Sequence, residues 1–286
     1  MVLLVVNSYR FPIFVSIRKD IINFFVLLIP MPLQVFTLYE GSYSVDSSKK
    51  FIPFNPEVHS PKDRPASLFI HVQPFLVKMN DLLVLFDTGL GYSNESGELI
   101  LHENIRKAGF DPAEVDYVLM SHLHFDHSGG MIHEYNGKTE LSFPNATYVI
   151  QRGEWESAFT NTSSSYKTEI FDFLQRNAQL HFVEGTGQFV AGISYELTGA
   201  HTPFHQTFLL NDGNDQVFFG GDVLPEPEEL LRRFIAKYDF DGRKAMELRE
   251  EYGKKAALEN WNCLFYHAKT KATGHVAYQD GIFSIV

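Results

Sequence analysis

The sequence predicts an α/β fold, in which strands and helices alternate along the chain and pack as layers. Short segments rich in Val, Ile, Leu and Phe, bounded by turn residues, alternate with helix-like segments from about residue 31 onward. Hydrophobic residues make up 44% and charged residues 21% of the 286-residue chain, which is ordinary for a globular protein and argues against disorder. We therefore predict one α/β domain over residues 31–286.

The predicted elements follow one another without an internal repeat or linker. The first half contains a strand at 33–39, β-rich segments at 69–78 and 82–87, a helix at 101–109, a strand at 115–120, and mixed helical sequence over 151–176 that is broken at 160–165. The second half contains strands at 179–183, 193–198, 206–211 and 216–220, two helical stretches within 226–259 separated at 239–242, and strands near 263–266, 275–278 and 282–286.

Residues 1–30 differ from the rest of the chain. Three basic residues precede the apolar run 21–29, as in a signal anchor, but the run is shorter than the roughly 20 residues of a membrane span, and Pro30 and Pro32 follow it. Three interpretations stay open: an extension unrelated to the fold, with translation starting at Met31; a membrane or export signal; or an additional helix or strand. We expect a cytoplasmic protein, or an exported or membrane-anchored one if this segment is a genuine signal.

Composition excludes several classes of function. The formal net charge is −11 and the pI about 5.5, which disfavours a nucleic-acid-binding protein because such a protein needs a basic face. Cys263 is the single cysteine, so an intramolecular disulfide and a multi-cysteine metal site are both excluded. Twelve histidines, by contrast, offer a generous supply of metal ligands.

The strongest local signal is the segment His122-Leu123-His124-Phe125-Asp126-His127, directly after a predicted strand. In an extended chain, residues i and i+2 point to the same side, so His122 and His124 can present both imidazoles to one metal. Asp126 and His127 come where the chain is expected to turn into a helix, so their side chains can diverge toward a second metal. The following Ser-Gly-Gly allows a tight turn.

The segment SHLHFDHSGG closely resembles the HxHxDH signature of the metallo-β-lactamase superfamily. Four further segments resemble that family's motifs and occur in its order: VLFDTGLG with Asp87, TGAHTPFHQ with His201, FFGGDV with Asp222, and LFYH with His267. The resemblance implies a four-layer αβ/βα sandwich of two mixed β-sheets with helices on the outer faces. The site would lie at one edge, where the loops after the strands meet.

The resemblance also implies a dinuclear metal site. One ion would be held by His122, His124 and His201, the other by Asp126, His127 and His267, and both by Asp222. Asp87 would orient a liganding imidazole by accepting its free N–H. Nitrogen and carboxylate donors suit zinc, so we expect two Zn²⁺ per chain, with Mn²⁺, Fe²⁺ or Co²⁺ as alternatives.

The implied function is a metal-dependent, lactonase-like hydrolase. It would use a hydroxide bridging the metals to cleave an ester, lactone or related acyl or phosphoester bond, with Asp126 as the catalytic proton acceptor. The expected substrate is a small, neutral or apolar molecule. Two alternatives stay open: a non-catalytic or regulatory metal-binding protein of the same fold, and a thioesterase or phosphoesterase of the superfamily.

The chain departs from the family pattern at three places. Phe204 stands where glycine is common, which predicts a thicker wall of the site. Ala268 follows His267 where an acidic residue is common, which predicts weaker binding of the second metal. The tyrosine that the related lactonases carry shortly after the bridging aspartate is absent here. Three other tyrosines could replace it only from a different position: Tyr238, Tyr252 and Tyr266.

Overall fold

The computed structural model describes residues 3–8, 11–16 and 32–286 of the chain. The chain divides into two compact units, Met1–Pro32 and Leu33–Val286. In the first unit, strand β1 (Leu3–Ser8) pairs antiparallel with β2 (Phe11–Ser16). The apolar run 21–29 lies outside the described residues, so the three interpretations of residues 1–30 stay predictions. None of the described helices has both the length and the apolarity needed to cross a bilayer.

The second unit carries the rest of the described structure. Its strands are β3 (Gln34–Thr37), β4 (Gly41–Val45), β5 (Phe51–Pro53), β6 (Leu68–Val72), β7 (Phe75–Met79), β8 (Leu82–Phe86), β9 (Tyr117–Leu119), β10 (Ile132–Tyr135), β11 (Lys138–Leu141), β12 (Thr147–Gln151), β13 (Gln179–Val183), β14 (Gly187–Val190), β15 (Ile193–Leu197), β16 (Gln206–Asn211), β17 (Gln216–Phe219), β18 (Asn262–Leu264), β19 (Thr273–Gln279) and β20 (Ile282–Ile285). Its helices are α1 (Ile100–Lys107), α2 (Phe125–Ser128), α3 (Arg152–Thr160), α4 (Thr168–Asn177), α5 (Glu228–Leu231) and α6 (Gly242–Glu259).

Two mixed sheets form the body of this unit. The first has the strand order β13-β12-β9-β8-β7-β3, in which β8, β9, β12 and β13 run parallel and β7 runs antiparallel to both of its neighbours, β8 and β3. The second runs from β14 to β20 in chain order and is antiparallel except for the β17–β18 pair. A small sheet, β5-β4-β6, and the hairpin β10-β11 complete the described strands.

Strand β8 shows how the first sheet is covered on both faces. Its residues are apolar and alternate in direction, as the pleat requires. Leu83 and Leu85 belong to a core with apolar residues of α1, α3 and α4, whereas Val84 and Phe86 belong to a second core with residues of the other sheet. The rings of Phe86 and Phe219 lie 4.8 Å apart between the two sheets.

The second sheet is covered in the same way. Phe219 faces the core between the sheets, and its neighbour Phe218 packs against Tyr252 of α6 and Trp261 in a third core. Helices therefore flank two face-to-face sheets, and the predicted four-layer αβ/βα sandwich is confirmed.

The predicted β-rich segment 69–78 is two strands, because Pro74 interrupts it. Proline cannot donate to a sheet ladder, and the chain changes sheets there: β6 pairs with β4, while β7 pairs with β3 and β8. Strand β12 was not predicted, although it is largely buried. Strands β4, β5, β10, β11 and β14 were not predicted either. They are short and partly exposed, so their apolar alternation is weak.

Candidate metal centre

Seven predicted ligands meet at one edge of the sandwich, because each follows the end of a strand. His122 to His127 come after β9, His201 after β15, Asp222 after β17 and His267 after β18. Their ligand atoms form three groups, within each of which all atoms lie within 4.8 Å of one another. The groups are His122, His124 and His201; His122, His127 and Asp222; and Asp126, His127 and His267.

The His-rich segment takes the predicted conformation. His122 and His124 precede α2, whereas Asp126 and His127 lie within it and share a ligand group with His267. Gly130 allows the chain to leave this helix, because a Cβ atom there would lie 2.1 Å from the carbonyl oxygen of Thr88. Thr88 in turn donates its backbone N–H to the carbonyl of His127. The loop after β8 and the loop after β9 are therefore in direct backbone contact.

Asp222 lies between His201 on one side and His127 and His267 on the other. Its Oδ2 atom lies 3.2 Å from Nε2 of His201, and its Oδ1 atom lies 3.1 Å from Nε2 of both His127 and His267. The buried ring of His205 accepts the backbone N–H of Asp222 at 3.1 Å. One carboxylate therefore presents an oxygen to each half of the site.

The outer ring nitrogens of three histidines each donate to an oxygen acceptor. A proton held at Nδ1 leaves Nε2 as a bare lone pair directed into the site. The donor–acceptor pairs are His127 Nδ1 with Asp87 Oδ2 at 2.7 Å, His201 Nδ1 with Asp239 Oδ1 at 2.9 Å, and His267 Nδ1 with the carbonyl of His71 at 2.6 Å.

The Nε2 atoms of these histidines face carboxylate oxygens at the centre of the site. Nε2 of His122, Nε2 of His127 and Oδ1 of Asp222 are buried and have no hydrogen-bond partner. Unpaired buried polar atoms cost about 1–3 kcal/mol each, and more when charged. A divalent cation would satisfy all three, so the donor set fits a metal pair with nitrogen and oxygen ligands.

The pKa shifts of the buried groups also indicate a site that favours positive charge. Although burial alone would lower it, the carboxylates of Asp222 and Asp126 raise the pKa of His127 well above its usual value. Burial would raise the pKa of Asp222, but His127 and other histidines hold it well below its usual range. Burial, followed by neighbouring imidazoles, lowers the pKa of both His122 and His124.

Groups of β6 and of the β6–β7 connection hold the His267 loop, where the family pattern has an acidic residue after the last ligand. The carbonyl of His71 accepts from the His267 ring, and the amide of Gln73 donates to the carbonyls of Ala268 at 2.8 Å and Phe265 at 3.3 Å. The loop that carries His267 is therefore held at three points without a carboxylate.

Phe204 does not lie in the wall of the site. Its ring packs on Gly153, where a Cβ atom would lie 2.3 Å from the ring, and it is absent from the described lining of the cavity beside the metal centre. The thicker wall predicted from this residue is not observed there.

The three tyrosines occupy different positions. Tyr266 stacks on His127 with ring centroids 4.1 Å apart and donates its hydroxyl to the carbonyl of Asp126. Tyr252 is buried on α6. Tyr238 lies in the cavity wall, with its ring 5.9 Å from that of His201. Only Tyr238 of the three is therefore available to a ligand.

A cavity of about 320 Å³ opens onto the candidate ligands. Its lining is mixed: the small sheet and α2 contribute apolar side chains, and polar residues lie both in the turn after β4 and near the candidate metal centre. The apolar residues are Val45, Phe51, Ala66, Leu68, Ile70 and Phe125, and the polar ones outside the ligand set include Lys49, Ser164, Ser165, Glu226 and Tyr238.

Two residues near the site were missed by sequence reasoning. Glu154 is buried and accepts from the backbone N–H of Leu123 and the hydroxyls of Thr202 and Tyr166. It lies on the buried face of α3, and a charged residue on that face was a readable signal. Asp239, which orients His201, lies in the predicted break at 239–242, and no sequence signal marked it.

Comparison with known proteins agrees with this geometry. Residues 70–267 match the family model described as the metallo-beta-lactamase superfamily. The N-acyl homoserine lactonase AttM of Agrobacterium fabrum is 34% identical over 149 residues, which are 49% of this chain and 48% of the relative. The chain thus spans about half the length of the curated relatives that it matches.

Two solved structures resemble the whole fold. A probable metal-dependent hydrolase from Staphylococcus aureus has a TM-score of 0.69 and 20% identity, covering 91% of this chain and 99% of the other. The dizinc quorum-quenching lactonase AidC, in complex with a product, has a TM-score of 0.67 and 22% identity, covering 91% and 95%. At these identities the likeness shows the fold alone.

Proposed function

The chain belongs to the metallo-beta-lactamase superfamily, and from this premise we propose that it is a metal-dependent hydrolase that cleaves a lactone or ester bond of a small acylated substrate. One observation carries the proposal: the buried Nε2 atoms of His127, His201 and His267 face the two oxygens of Asp222 at 3.1–3.2 Å. Such an arrangement is stable only with positive charge between the facing atoms.

We assign the seven ligands to two ions. His122, His124 and His201 would hold the first ion; Asp126, His127 and His267 would hold the second; and Asp222 would contribute one oxygen to each. Two bound ions would supply the positive charge that activates a water molecule as nucleophile and polarises the carbonyl group of the substrate. Zinc suits these donors, and Mn²⁺, Fe²⁺ and Co²⁺ remain alternatives.

We propose Asp126 as the residue that moves the proton. Its Oδ2 lies 3.9 Å from Nε2 of His127 and 3.7 Å from Nε2 of His267, and the residue also lines the cavity. Tyr266 holds its backbone carbonyl, which restricts where the carboxylate can go. We propose that Asp126 accepts the proton of the attacking water and returns it to the leaving alkoxide.

The cavity supports a substrate with an apolar acyl group. Its apolar side is formed by Val45, Phe51, Leu68, Ile70 and Phe125, which would bury an alkyl chain while the bond to be cleaved lies at the histidines. The curated relatives are named N-acyl homoserine lactonases. An acylated lactone is therefore the first substrate to test, and simple acyl esters are the second.

The test combines metal content with activity on the same sample. Purified protein should contain about two divalent transition-metal ions per chain and hydrolyse an acylated lactone; a chelator should abolish the activity and zinc should restore it. Asp126→Asn should lower kcat by about 10²–10⁴-fold. Asp172→Asn, an exposed residue of α4, is the matched control and should leave kcat unchanged.

Two outcomes would contradict the proposal in different ways. Tight binding of two ions with no hydrolysis of lactones, esters, thioesters or phosphoesters would favour a non-catalytic metal-binding protein. Unchanged kcat in Asp126→Asn would exclude the proposed proton transfer while leaving the hydrolase assignment intact.

A further inference from the structure

A buried ion-pair network lies behind the candidate metal centre, on the side of helix α6. Asp239, between α5 and α6, and Arg249, on α6, have side chains that are 0% and 2% exposed. Their Oδ2 and Nη2 atoms lie 3.2 Å apart. Neither residue belongs to a motif singled out in the sequence. A buried ion pair is costly to desolvate, so its position against the site needs a reason.

Asp239 orients the imidazole ring of His201 through a hydrogen bond. Its Oδ1 accepts the Nδ1 proton of His201 at 2.9 Å, which directs the Nε2 lone pair at Asp222 and toward His124. The backbone around Asp239 is fastened to the same loop, because the N–H groups of residues 240 and 241 donate to the carbonyls of His201 and Ala200. Rotation of the His201 ring would break the carboxylate contact at once.

Arg249 connects Asp239 with the loop that carries Asp222. Nε donates to the carbonyl of Val223 at 2.7 Å, Nη1 to the carbonyl of Phe234 at 2.9 Å, and Nη2 to Asp239. Nε also lies 2.8 Å from a carboxylate oxygen of Glu229. The planar fork of arginine makes these contacts in one fixed geometry, which a lysine ammonium cannot reproduce.

We infer that Asp239 and Arg249 are positioning residues that set the tautomer of His201 and its distance from Asp222, and thereby the affinity of the first metal position. The inference rests on the proposed function only in that the same residues are taken to bind metal. Loss of a hydrogen-bond partner of this kind costs about 10–100-fold in metal affinity.

The first measurement is metal affinity in Asp239→Ala, by competition of zinc with a chromophoric chelator on the full chain and without substrate. One of the two ions should bind about 10–100-fold more weakly and the other unchanged. Arg249→Lys should show a smaller loss than Arg249→Met, because lysine keeps the charge but not the fork.

Asp241→Ala is the matched control. Asp241 lies two residues from Asp239, and its carboxylate caps α6 by accepting from the N–H of Lys244. Its removal should destabilise the helix without changing the affinity for either ion. Equal losses of metal affinity in Asp239→Ala and Asp241→Ala would show a purely structural role and overturn the inference.

The second measurement needs neither metal nor activity. In metal-free protein, imidazole ¹⁵N–¹H correlation spectra should show His201 protonated at Nδ1, and Asp239→Ala should shift it toward the Nε2-protonated tautomer. An unchanged tautomer would overturn the inference even if hydrolysis is found. A shifted tautomer in a protein that hydrolyses nothing would support the inference while contradicting the proposed function.

Discussion

Replacement of Asp87 by asparagine tests whether a buried carboxylate holds the site together. Asp87 is fully buried and accepts three hydrogen bonds of 2.7 Å, from the backbone N–H and the hydroxyl of Ser121 and from the ring of His127. It has a φ of +53°, which asparagine tolerates, so the backbone is not strained by the change. The substitution therefore isolates the chemistry of the carboxylate.

The cost follows from the hydrogen-bond inventory. An amide has one acceptor oxygen and one donor group, so its NH₂ must face either the N–H of Ser121 or the ring of His127. One charge-assisted bond is lost, about 1.5–3 kcal/mol, and one buried donor is left unpaired, about 1–3 kcal/mol. Burial raises the pKa of Asp87, so a neutral side chain recovers part of this cost. We expect a net loss of about 2–4 kcal/mol in the free energy of unfolding.

Urea unfolding of metal-free protein measures that loss, and chelator competition measures the affinity for metal. If the amide donates to His127, the proton of that ring moves to Nε2, and one ion should bind about 10–100-fold more weakly. Asp280→Asn is the matched control, because Asp280 is exposed and has a φ of +51°. The reasoning would be refuted if Asp87→Asn and Asp280→Asn had the same free energy of unfolding and the same affinity for metal.

Three further predictions concern groups around the site. Burial raises the pKa of Glu40 from 4.5 to about 7, so between these pH values the folded state holds a proton that the unfolded state has released. The free energy of unfolding should therefore fall by about 3 kcal/mol as the pH rises through this range. Urea unfolding of metal-free protein at pH 5 and pH 8 checks this, and Glu40→Gln with the same pH slope as wild type would contradict it. Glu154→Ala should lower the free energy of unfolding by about 2–4 kcal/mol because three donors lose their acceptor. Glu156→Ala, an exposed change on the same helix, should stay within about 0.5 kcal/mol of wild type in the same denaturation assay. Equal effects of the two substitutions would exclude a special role for Glu154. Gly130→Ala should destabilise the protein by about 1–3 kcal/mol or more, because the added methyl meets the backbone oxygen of Thr88; a wild-type thermal midpoint and metal content would show that this backbone contact is not needed.

Much of the fold was readable from local pattern. The β-rich segment 82–87 predicted β8, because a strand covered on both faces needs apolar side chains on both faces. The break at 160–165 separated two helices, observed as α3 and α4. Pro74 shows the limit: the pattern around it was β-like on both sides, and only the packing shows that the two strands belong to different sheets.

The candidate ligands were readable because a metal site needs particular atoms at short spacing. His122, His124, Asp126 and His127 lie within six residues of one another, so the chain itself brings them together. The remaining ligands were found through their motifs. The structure brings all of these residues to one edge, although their roles as ligands stay a proposal.

Asp87, which accepts from the ring of His127, was expected from its motif, but the other two partners that orient the ligands are assigned by the tertiary structure alone. Asp239 reaches His201 across 38 positions of sequence, and the carbonyl of His71 reaches His267 across 196. Any backbone carbonyl or carboxylate can accept an imidazole N–H, so residue type carries no signal for the pairing. The absent acid after His267 predicted a weaker second position, yet the backbone carbonyl of His71 in β6 accepts from the His267 ring. Ligand identity is a property of the local chain, whereas ligand orientation depends on which distant segments the sandwich packs against it.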